Sequence, residues 1–317
     1  MLVPNFDDVI AAHEKIRPLI HKTPVLKSDS INQIANCSIF FKCENLQKVG
    51  AFKFRGASNA IMSIPHEQLN NGVATHSSGN HAQALALAAK SKGVPAHIVM
   101  PYNSPKVKIN AVDGYGANIY FCEPNLKARE TTLADIVSKT GANFVHPYNN
   151  PFVIAGQATA AKELIEEVQL LDFVIAPVGG GGLLSGTSIS TKALLPDANV
   201  IGAEPLGADD AFHSFYSDSI VPSVNPTTIC DGLLTSLGDL TYLIIKEKVN
   251  EIITVSDEQI VGAMKLIWER MKIIVEPSAA VTLAVVLNNT EKFSKKRIGI
   301  ILSGGNVDLF SLPFNKF

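Results

Sequence analysis

Short apolar runs alternate with longer amphipathic stretches along most of this chain. The longer stretches have the length and spacing of helices, as in 80–93, where small apolar residues recur on one face and Gly93 ends the pattern. The apolar runs are too short for helices and predict strands. These predicted strands cover residues 38–44, 72–77, 96–101, 118–122, 172–178, 199–204, 251–255 and 297–303.

Strands separated by helix-length segments predict βαβ units and parallel sheets. The runs FVIA (173–176) and IGIIL (298–302) are apolar on both faces, as expected for strands covered by helices on both sides. We therefore predict an α/β fold of open, twisted, mostly parallel sheets flanked by helices. We further expect a smaller inserted domain at 70–148, and a larger discontinuous domain made of 1–69 and 149–317.

Composition excludes several classes of protein. Of the 317 residues, 46% are hydrophobic and 18% are charged, and the formal net charge is −2. This balance offers no basic surface for nucleic acid or for an anionic membrane. Asp7 and Asp8 lie where a signal peptide would be apolar, and no apolar run reaches membrane-span length. We predict no nucleic-acid partner and no membrane association.

The cysteines are scattered, without a C-x-x-C pair or zinc-ligand spacing. We expect them to be reduced and mostly buried, which is typical of a cytoplasmic protein. They are Cys37, Cys43, Cys122 and Cys230.

Three polar loops directly follow predicted strands, where ligands bind in such folds. The first, Gly179–Gly182, has four glycines before a predicted helix, so its free N–H groups and the helix end can form a phosphate site. The second, 76–81, has the sequence HSSGNH and suits a carboxylate at a helix start, although an ordinary N-cap explains it equally well. The third, Ser303–Asn306, follows an apolar strand, and a plain turn is its alternative explanation.

Lys53 lies between Phe52 and Phe54. Apolar neighbours remove water from an amine, which lowers its pKa and favours the neutral form. A neutral amine can form a Schiff base and can accept a proton. Taken alone, a surface lysine with its stem along apolar groups explains the pattern as well.

Together the segments AFKFRGA (51–57), SSGNHAQ (77–83), Gly179–Gly182 and SGGN (303–306) resemble one family. They are similar to the fold-type II pyridoxal-phosphate enzymes related to threonine dehydratase and serine racemase, over nearly the whole chain. The resemblance implies that Lys53 holds pyridoxal 5′-phosphate as a Schiff base and that Phe52 packs against its pyridine ring. It also implies that Asn80 bonds the phenolic oxygen, Gly179–Gly182 hold the phosphate, and Ser303 faces the ring nitrogen.

The same resemblance implies a small hydroxy-amino acid as substrate, with serine first. Its carboxylate would be bound by Ser77, Asn80 and His81, and Arg129 matches an arginine near the substrate hydroxyl. Racemisation needs an acid-base group on each face of a planar intermediate, and Ser78 is the candidate opposite Lys53. Dehydratases of this family usually carry alanine at the Ser78 position. We therefore expect serine racemisation, with elimination of serine to pyruvate and ammonia as a side reaction.

Two regulatory features are also implied by the resemblance. The first is a divalent-metal site for Mg²⁺, Mn²⁺ or Ca²⁺, formed by Glu204, Asp210 and the carbonyl of Ala208; hard oxygen ligands of this kind suit these ions. The second is activation by ATP at the interface of a homodimer. The residues that match this nucleotide site are Lys48, Gln83, Tyr115, Arg270 and Asn306.

Several alternatives remain open. Tyr148 stands where animal serine racemases have asparagine and many dehydratases have phenylalanine, so an L-threonine/L-serine ammonia-lyase or an aspartate racemase is a within-family alternative. An NAD-dependent dehydrogenase could use the glycine loop, with Glu204 binding a ribose, but the chain lacks G-x-G-x-x-G spacing. A non-catalytic amino-acid sensor could keep the carboxylate loop without turnover.

Overall fold

Ten strands form two sheets within residues 2–315, the part of the chain that the computed structural model describes. The strands are β1 (Val25–Leu26), β2 (Ser38–Cys43), β3 (Val73–His76), β4 (Ala96–Pro101), β5 (Asn118–Cys122), β6 (Asn143–Phe144), β7 (Phe173–Pro177), β8 (Asn199–Pro205), β9 (Glu251–Val255) and β10 (Arg297–Leu302).

The strands are connected mainly by α-helices. The helices are α1 (Phe6–Ile16), α2 (Asp29–Ala35), α3 (Lys53–Met62), α4 (His66–Leu69), α5 (Asn80–Lys92), α6 (Lys106–Gly114), α7 (Leu126–Thr140), α8 (Pro151–Val168), α9 (Gly182–Leu194), α10 (Asp210–Tyr216), α11 (Asp239–Lys248), α12 (Asp257–Met271), α13 (Pro277–Leu287) and α14 (Thr290–Phe293). Within residues 2–315, no helix combines the length and the apolar composition needed to cross a bilayer.

The larger sheet has six strands in the order β1-β2-β10-β7-β8-β9. All neighbours are parallel except β1 and β2, which pair antiparallel. Strands β7 and β10 lie at its centre, and every residue of β7 is buried. This arrangement explains why their sequences are apolar on both faces, since helices cover both sides of the sheet.

The smaller sheet has four parallel strands in the order β5-β4-β3-β6, all within residues 73–144. Helix α5 packs on it through alanines and Leu85. Helix α3 contributes Phe54 and Ile61 to the same apolar cluster, so the helix that begins at Lys53 is part of this core.

Local signals explain where several helices begin and end. Asn150 caps α8, and Pro151 occupies its first turn, where a missing N–H costs nothing. Ser256 and Gln259 form a capping box at the start of α12. Gly93 adopts the left-handed conformation that ends α5, as its position in the sequence predicted.

The predicted fold class is confirmed, and every predicted strand is present with its ends within one residue of the prediction. Strands β1 and β6 were not predicted, because two residues are too few to produce an alternating or continuous apolar pattern. The division into domains at 70–148 stays a prediction, although the segment contains the whole four-stranded sheet.

Candidate active site

The segment before Lys53 is joined to the loop after β10. Phe52 N–H donates to the Ser303 carbonyl at 3.0 Å, and Gly305 N–H donates to the Gly50 carbonyl at 2.9 Å. These two bonds flank a bridge between Ala51 and Gly304. Two predicted site segments that are about 250 residues apart in the sequence therefore lie side by side.

The amino group of Lys53 is held within the protein. Nζ donates a hydrogen bond to the Pro147 carbonyl at 2.9 Å and lies 5.2 Å from the centre of the Phe52 ring. Burial lowers the pKa of Lys53 to about 8, against the opposing charge of Glu276. This is the direction that its aromatic neighbours predicted, and it makes the amine a better nucleophile near neutral pH than an ordinary lysine.

The four glycines after β7 form a tightly enclosed loop. A Cβ atom on Gly180 would lie 2.4 Å from the Tyr148 ring, and one on Gly179 would lie 2.9 Å from the Leu233 Cα. Gly181, with φ of +85°, has the left-handed conformation that favours glycine and is the N-cap of α9. Within residues 2–315, the N–H groups of Gly179–Gly182 have no hydrogen-bond acceptor. Unpaired N–H groups at a helix N-terminus fit a phosphate.

The second predicted loop, 76–81, runs from the end of β3 into the first turn of α5. Ser77 N–H donates to the Val99 carbonyl at 3.0 Å, and its hydroxyl accepts from Gly79 N–H at 3.3 Å, while Ser78 is half-buried. A Cβ atom on Gly79 would be 3.6 Å from Nζ of Lys108, which forms an ion pair with Asp231. A positive side chain therefore lies next to the loop that was predicted to bind a carboxylate.

Asn80 is hydrogen-bonded to Glu276, a residue outside all of the predicted site segments. Asn80 Nδ2 donates to Glu276 Oε1 at 2.9 Å, and Asn306 Nδ2 donates to Asn80 Oδ1 at 2.9 Å. Burial, together with the charge of Asp231, raises the pKa of Glu276 to about 7. The signal available in the sequence was a lone glutamate inside the apolar stretch IIVEPSAAV (273–281), where an unpaired acid would be costly.

His81 and Arg129 occupy different environments. The His81 side chain is 2% exposed, its Nε2 lies 3.4 Å from the Val145 carbonyl, and burial lowers its pKa, so it is neutral. Arg129 is half-buried, and its Nε atom is buried without a hydrogen-bond partner among the described residues. Burial and, after it, the charge of Arg129 lower the pKa of His76 to about 4. The guanidinium of Arg129 therefore lies near the His76 ring.

The predicted metal ligands are also close together. Glu204 is fully buried at the end of β8 and accepts N–H groups from Ala211 at 2.9 Å and Phe212 at 2.8 Å. Both carboxylate oxygens of Asp210 are buried without a partner in the described structure. Burial raises the pKa of Glu204 to about 9 and that of Asp210 to about 6. Two buried carboxyls with raised pKa values fit a cation that would neutralise them. Residues 2–315 nevertheless contain no cluster of three or more His, Cys, Asp or Glu side chains that could hold a metal.

The predicted nucleotide residues are spread over several elements. Asn306 Nδ2 donates to the Val49 carbonyl at 2.7 Å, next to Lys48, whose Nζ lies 5.6 Å from the Phe54 ring centre. Gln83 is buried in α5. Tyr115 is half-buried at the end of α6, and Arg270 is exposed near the end of α12.

Lys53 and the glycine loop contact two consecutive residues of the chain, Pro147 and Tyr148. Pro147 accepts the hydrogen bond from Lys53, and the ring of the next residue, Tyr148, contacts Gly180. A reactive amine and an anion site are thus close enough to hold the two ends of one small molecule. An aldehyde that carries a phosphate fits this pair of groups.

Comparisons with known proteins agree with this chemistry. Residues 16–304 match the family described as pyridoxal-phosphate dependent enzyme. The chain is 51% identical to β-hydroxyaspartate dehydratase of Paracoccus denitrificans, over 99% of this chain and 100% of that protein. It is also 51% identical to serine racemase of Dictyostelium discoideum, over 98% of each chain. The crystal structure of that racemase superposes with a TM-score of 0.92 and covers 96% of this chain and 99% of that one. The chain therefore belongs to the pyridoxal-phosphate dependent enzymes of fold type II.

Proposed function

We propose that this enzyme interconverts L-serine and D-serine and eliminates water from serine as a side reaction, with release of pyruvate and ammonia. The observation that carries the proposal is that Ser78, a hydroxyl where dehydratases usually have alanine, lies in the loop whose Asn80 bonds Glu276, the carboxyl that acts on the pKa of Lys53. Its similarity to serine racemase of Dictyostelium discoideum supports the same reaction. Membership of the family argues against the dehydrogenase alternative.

Bound pyridoxal phosphate supplies an electron sink that stabilises negative charge at the substrate Cα. Lys53 would hold the cofactor aldehyde, and its neutral amine would take or return the Cα proton on one face. Ser78 exchanges a proton on the opposite face, and this two-sided arrangement allows inversion. The burial that lowers the pKa of Lys53 and raises that of Glu276 limits the access of water to these groups.

The remaining residues bind and orient. Phe52 packs against the cofactor ring, Asn80 bonds its phenolic oxygen, and Ser303 is a neutral partner for its ring nitrogen. Gly179–Gly182 bind the phosphate through their N–H groups. The Ser77 hydroxyl and the N–H groups in the first turn of α5, at Asn80 and His81, bind the substrate carboxylate, while Lys108 adds positive charge beside Gly79.

A second candidate is elimination from 3-hydroxyaspartate, and the specific observation in its favour is Arg129. Its buried Nε has no hydrogen-bond partner within residues 2–315 and can pair with a second carboxylate on the substrate β-carbon. The relative from Paracoccus denitrificans is named for this substrate. L-threonine/L-serine ammonia-lyase and aspartate racemase remain the other within-family alternatives, because Tyr148 changes the substrate side of the pocket.

We also propose the regulatory features expected from the sequence. The Asp210 carboxylate oxygens, which have no hydrogen-bond partner in the part of the chain that the structure describes, support a Mg²⁺, Mn²⁺ or Ca²⁺ site with Glu204 and the Ala208 carbonyl. The resemblance at Lys48, Gln83, Tyr115, Arg270 and Asn306 supports ATP binding in a homodimer. The four cysteines are free and buried, which supports a cytoplasmic location. The two separate sheets support domains at 70–148 and at 1–69 with 149–317.

Chiral analysis of the products tests the main proposal. Purified enzyme with pyridoxal phosphate and Mg²⁺ is incubated with L-serine, L-threonine, L-aspartate and 3-hydroxyaspartate in turn, and D-amino acids and keto acids are quantified. We expect D-serine from L-serine, and no product from Lys53→Ala. Keto acid without any D-serine would favour an ammonia-lyase, and no turnover of any substrate would favour a sensor.

A further inference from the structure

The turn formed by residues 146–150 contacts both halves of the cofactor site. The Pro147 carbonyl accepts the hydrogen bond from Lys53 at 2.9 Å. A Cβ atom on Gly180 would lie 2.4 Å from the Tyr148 ring, and one on Gly182 would lie 3.0 Å from Tyr148 Cβ. Consecutive residues of one turn therefore limit where the lysine and the glycine loop can lie relative to each other.

The end of the same turn is anchored to two helices. Asn149 Oδ1 accepts from Leu240 N–H at 2.9 Å, in the first turn of α11. From the next residue of α11, the Thr241 hydroxyl lies 2.9 Å from the Gly180 carbonyl and shares its proton between that oxygen and the Gly238 carbonyl at 3.0 Å. Asn150 Oδ1 caps α8 through Phe152 N–H at 2.9 Å. The turn is thus tied to the glycine loop by a second route, through α11.

His146 holds the turn in shape. Its Nδ1 accepts N–H groups from Asn149 at 2.9 Å and from Tyr148 at 3.3 Å, and its ring meets the Tyr148 ring edge-on at 4.6 Å. Burial, with the charges of His76 and Lys53, lowers the pKa of His146 to about 4. The imidazole is therefore neutral at pH 7, with its proton assigned to Nε2 because Nδ1 accepts.

We infer that His146 is a positioning residue that sets the distance between Lys53 and the glycine loop, and thereby the affinity for pyridoxal phosphate. It acts through the Pro147 carbonyl and the Tyr148 ring. The inference rests on the family's cofactor and holds for any amino-acid substrate, so its failure would leave the proposed reaction untouched.

Two variants separate this role from general support of the fold. His146→Asn keeps an acceptor, because the Asn side chain accepts N–H groups two and three residues on in an Asx-turn. His146→Leu is a matched apolar control of similar size without an acceptor. Each cofactor-free protein is checked by thermal unfolding and titrated by absorbance with pyridoxal phosphate and, separately, with pyridoxal, which lacks the phosphate.

In His146→Leu we expect the Kd for pyridoxal phosphate to rise about tenfold, the factor that corresponds to losing about one hydrogen bond. We expect the preference for pyridoxal phosphate over pyridoxal to fall by a similar factor. Only pyridoxal phosphate must reach Lys53 and the glycine loop at the same time, so a change in their separation weakens it most. His146→Asn should stay within about threefold of wild type on both measures.

Wild-type affinity and preference in His146→Leu would overturn the inference, and so would equal weakening of both ligands. Equal loss in the Asn and Leu variants would overturn it as well. If His146→Leu does not fold, His146→Ala replaces it as the variant without an acceptor, and the same comparison with His146→Asn decides.

Discussion

Arg55 donates to both carboxylate oxygens of Glu44, from Nε at 2.7 Å and from Nη2 at 2.9 Å, two residues after Lys53. It also donates to Glu163 from Nη1 at 2.9 Å, and Lys42 donates to Glu163 at 2.6 Å. All four side chains are buried, so the charges of two cations and two carboxylates cancel in the interior. The first turn of α3, which begins at Lys53, is thereby fixed to α8 and to the residue that follows β2.

Glu163→Gln should destabilise the protein by about 3–5 kcal/mol, because it leaves buried positive charge without its partner. Urea unfolding at pH 7 measures the change. Glu166→Gln is a matched control one turn further along α8, since Glu166 is half exposed and pairs with Lys162. That change should cost less than about 1 kcal/mol. Similar losses in both variants would mean that the buried network adds no special stability.

The capture of pyridoxal phosphate by cofactor-free enzyme should become faster as pH rises and level off above about 8. Lys53 has a lowered pKa of about 8, and only its neutral form attacks an aldehyde, so the reactive fraction grows until that pH is passed. Stopped-flow absorbance between pH 6.5 and 10 measures the rate. The same rate is measured for a lysine side-chain model compound, whose pKa is about 10.4. Its pH profile shows how much of the change comes from titration of the cofactor. A rate that still rises steeply at pH 10 would contradict the lowered pKa.

Ser78→Ala should reduce racemisation of L-serine by about 100-fold or more, the usual contribution of a positioned acid or base. Elimination should largely persist, because Lys53 alone can remove the Cα proton of L-serine. Chiral chromatography and a pyruvate assay on the same samples give the two rates. Ser77→Ala is the control and should weaken both reactions together, through binding. Parallel loss of both activities in Ser78→Ala would refute the two-face assignment.

Mg²⁺ should raise the thermal stability of the wild-type enzyme, and Asp210→Asn should remove that response. A cation that neutralises the buried carboxyls binds the folded state preferentially, and at a concentration of 100 Kd this adds about 2.7 kcal/mol. Tm is followed as Mg²⁺ is added to chelator-treated protein. Asp209→Asn is the neighbouring control and should keep the response, because Asp209 is partly exposed and pairs with His213. An equal response in Asp210→Asn would rule this site out.

Local sequence predicted the architecture and the polar loops of the site. Continuous apolar runs such as FVIAP form buried strands because helices cover both faces, and that requirement can be recognised from the residues themselves. The glycine run before α9 and the lysine between two phenylalanines likewise carry their chemistry in adjacent residues. The roles assigned to them by resemblance stay predictions, to be tested as above.

Groups that act on the site from distant parts of the chain could not be predicted. Glu276 is 196 residues from Asn80, and Pro147 is 94 residues from Lys53, so no local pattern relates them. Their pairing depends on how the helices pack on two sheets. The identities of the lysine, the glycine loop and the strands were determined by the sequence alone, because short-range chemistry specifies them. Which carbonyl receives the lysine, and which carboxyl is buried beside it, was decided by tertiary structure, because burial and pKa depend on all groups within a few ångströms.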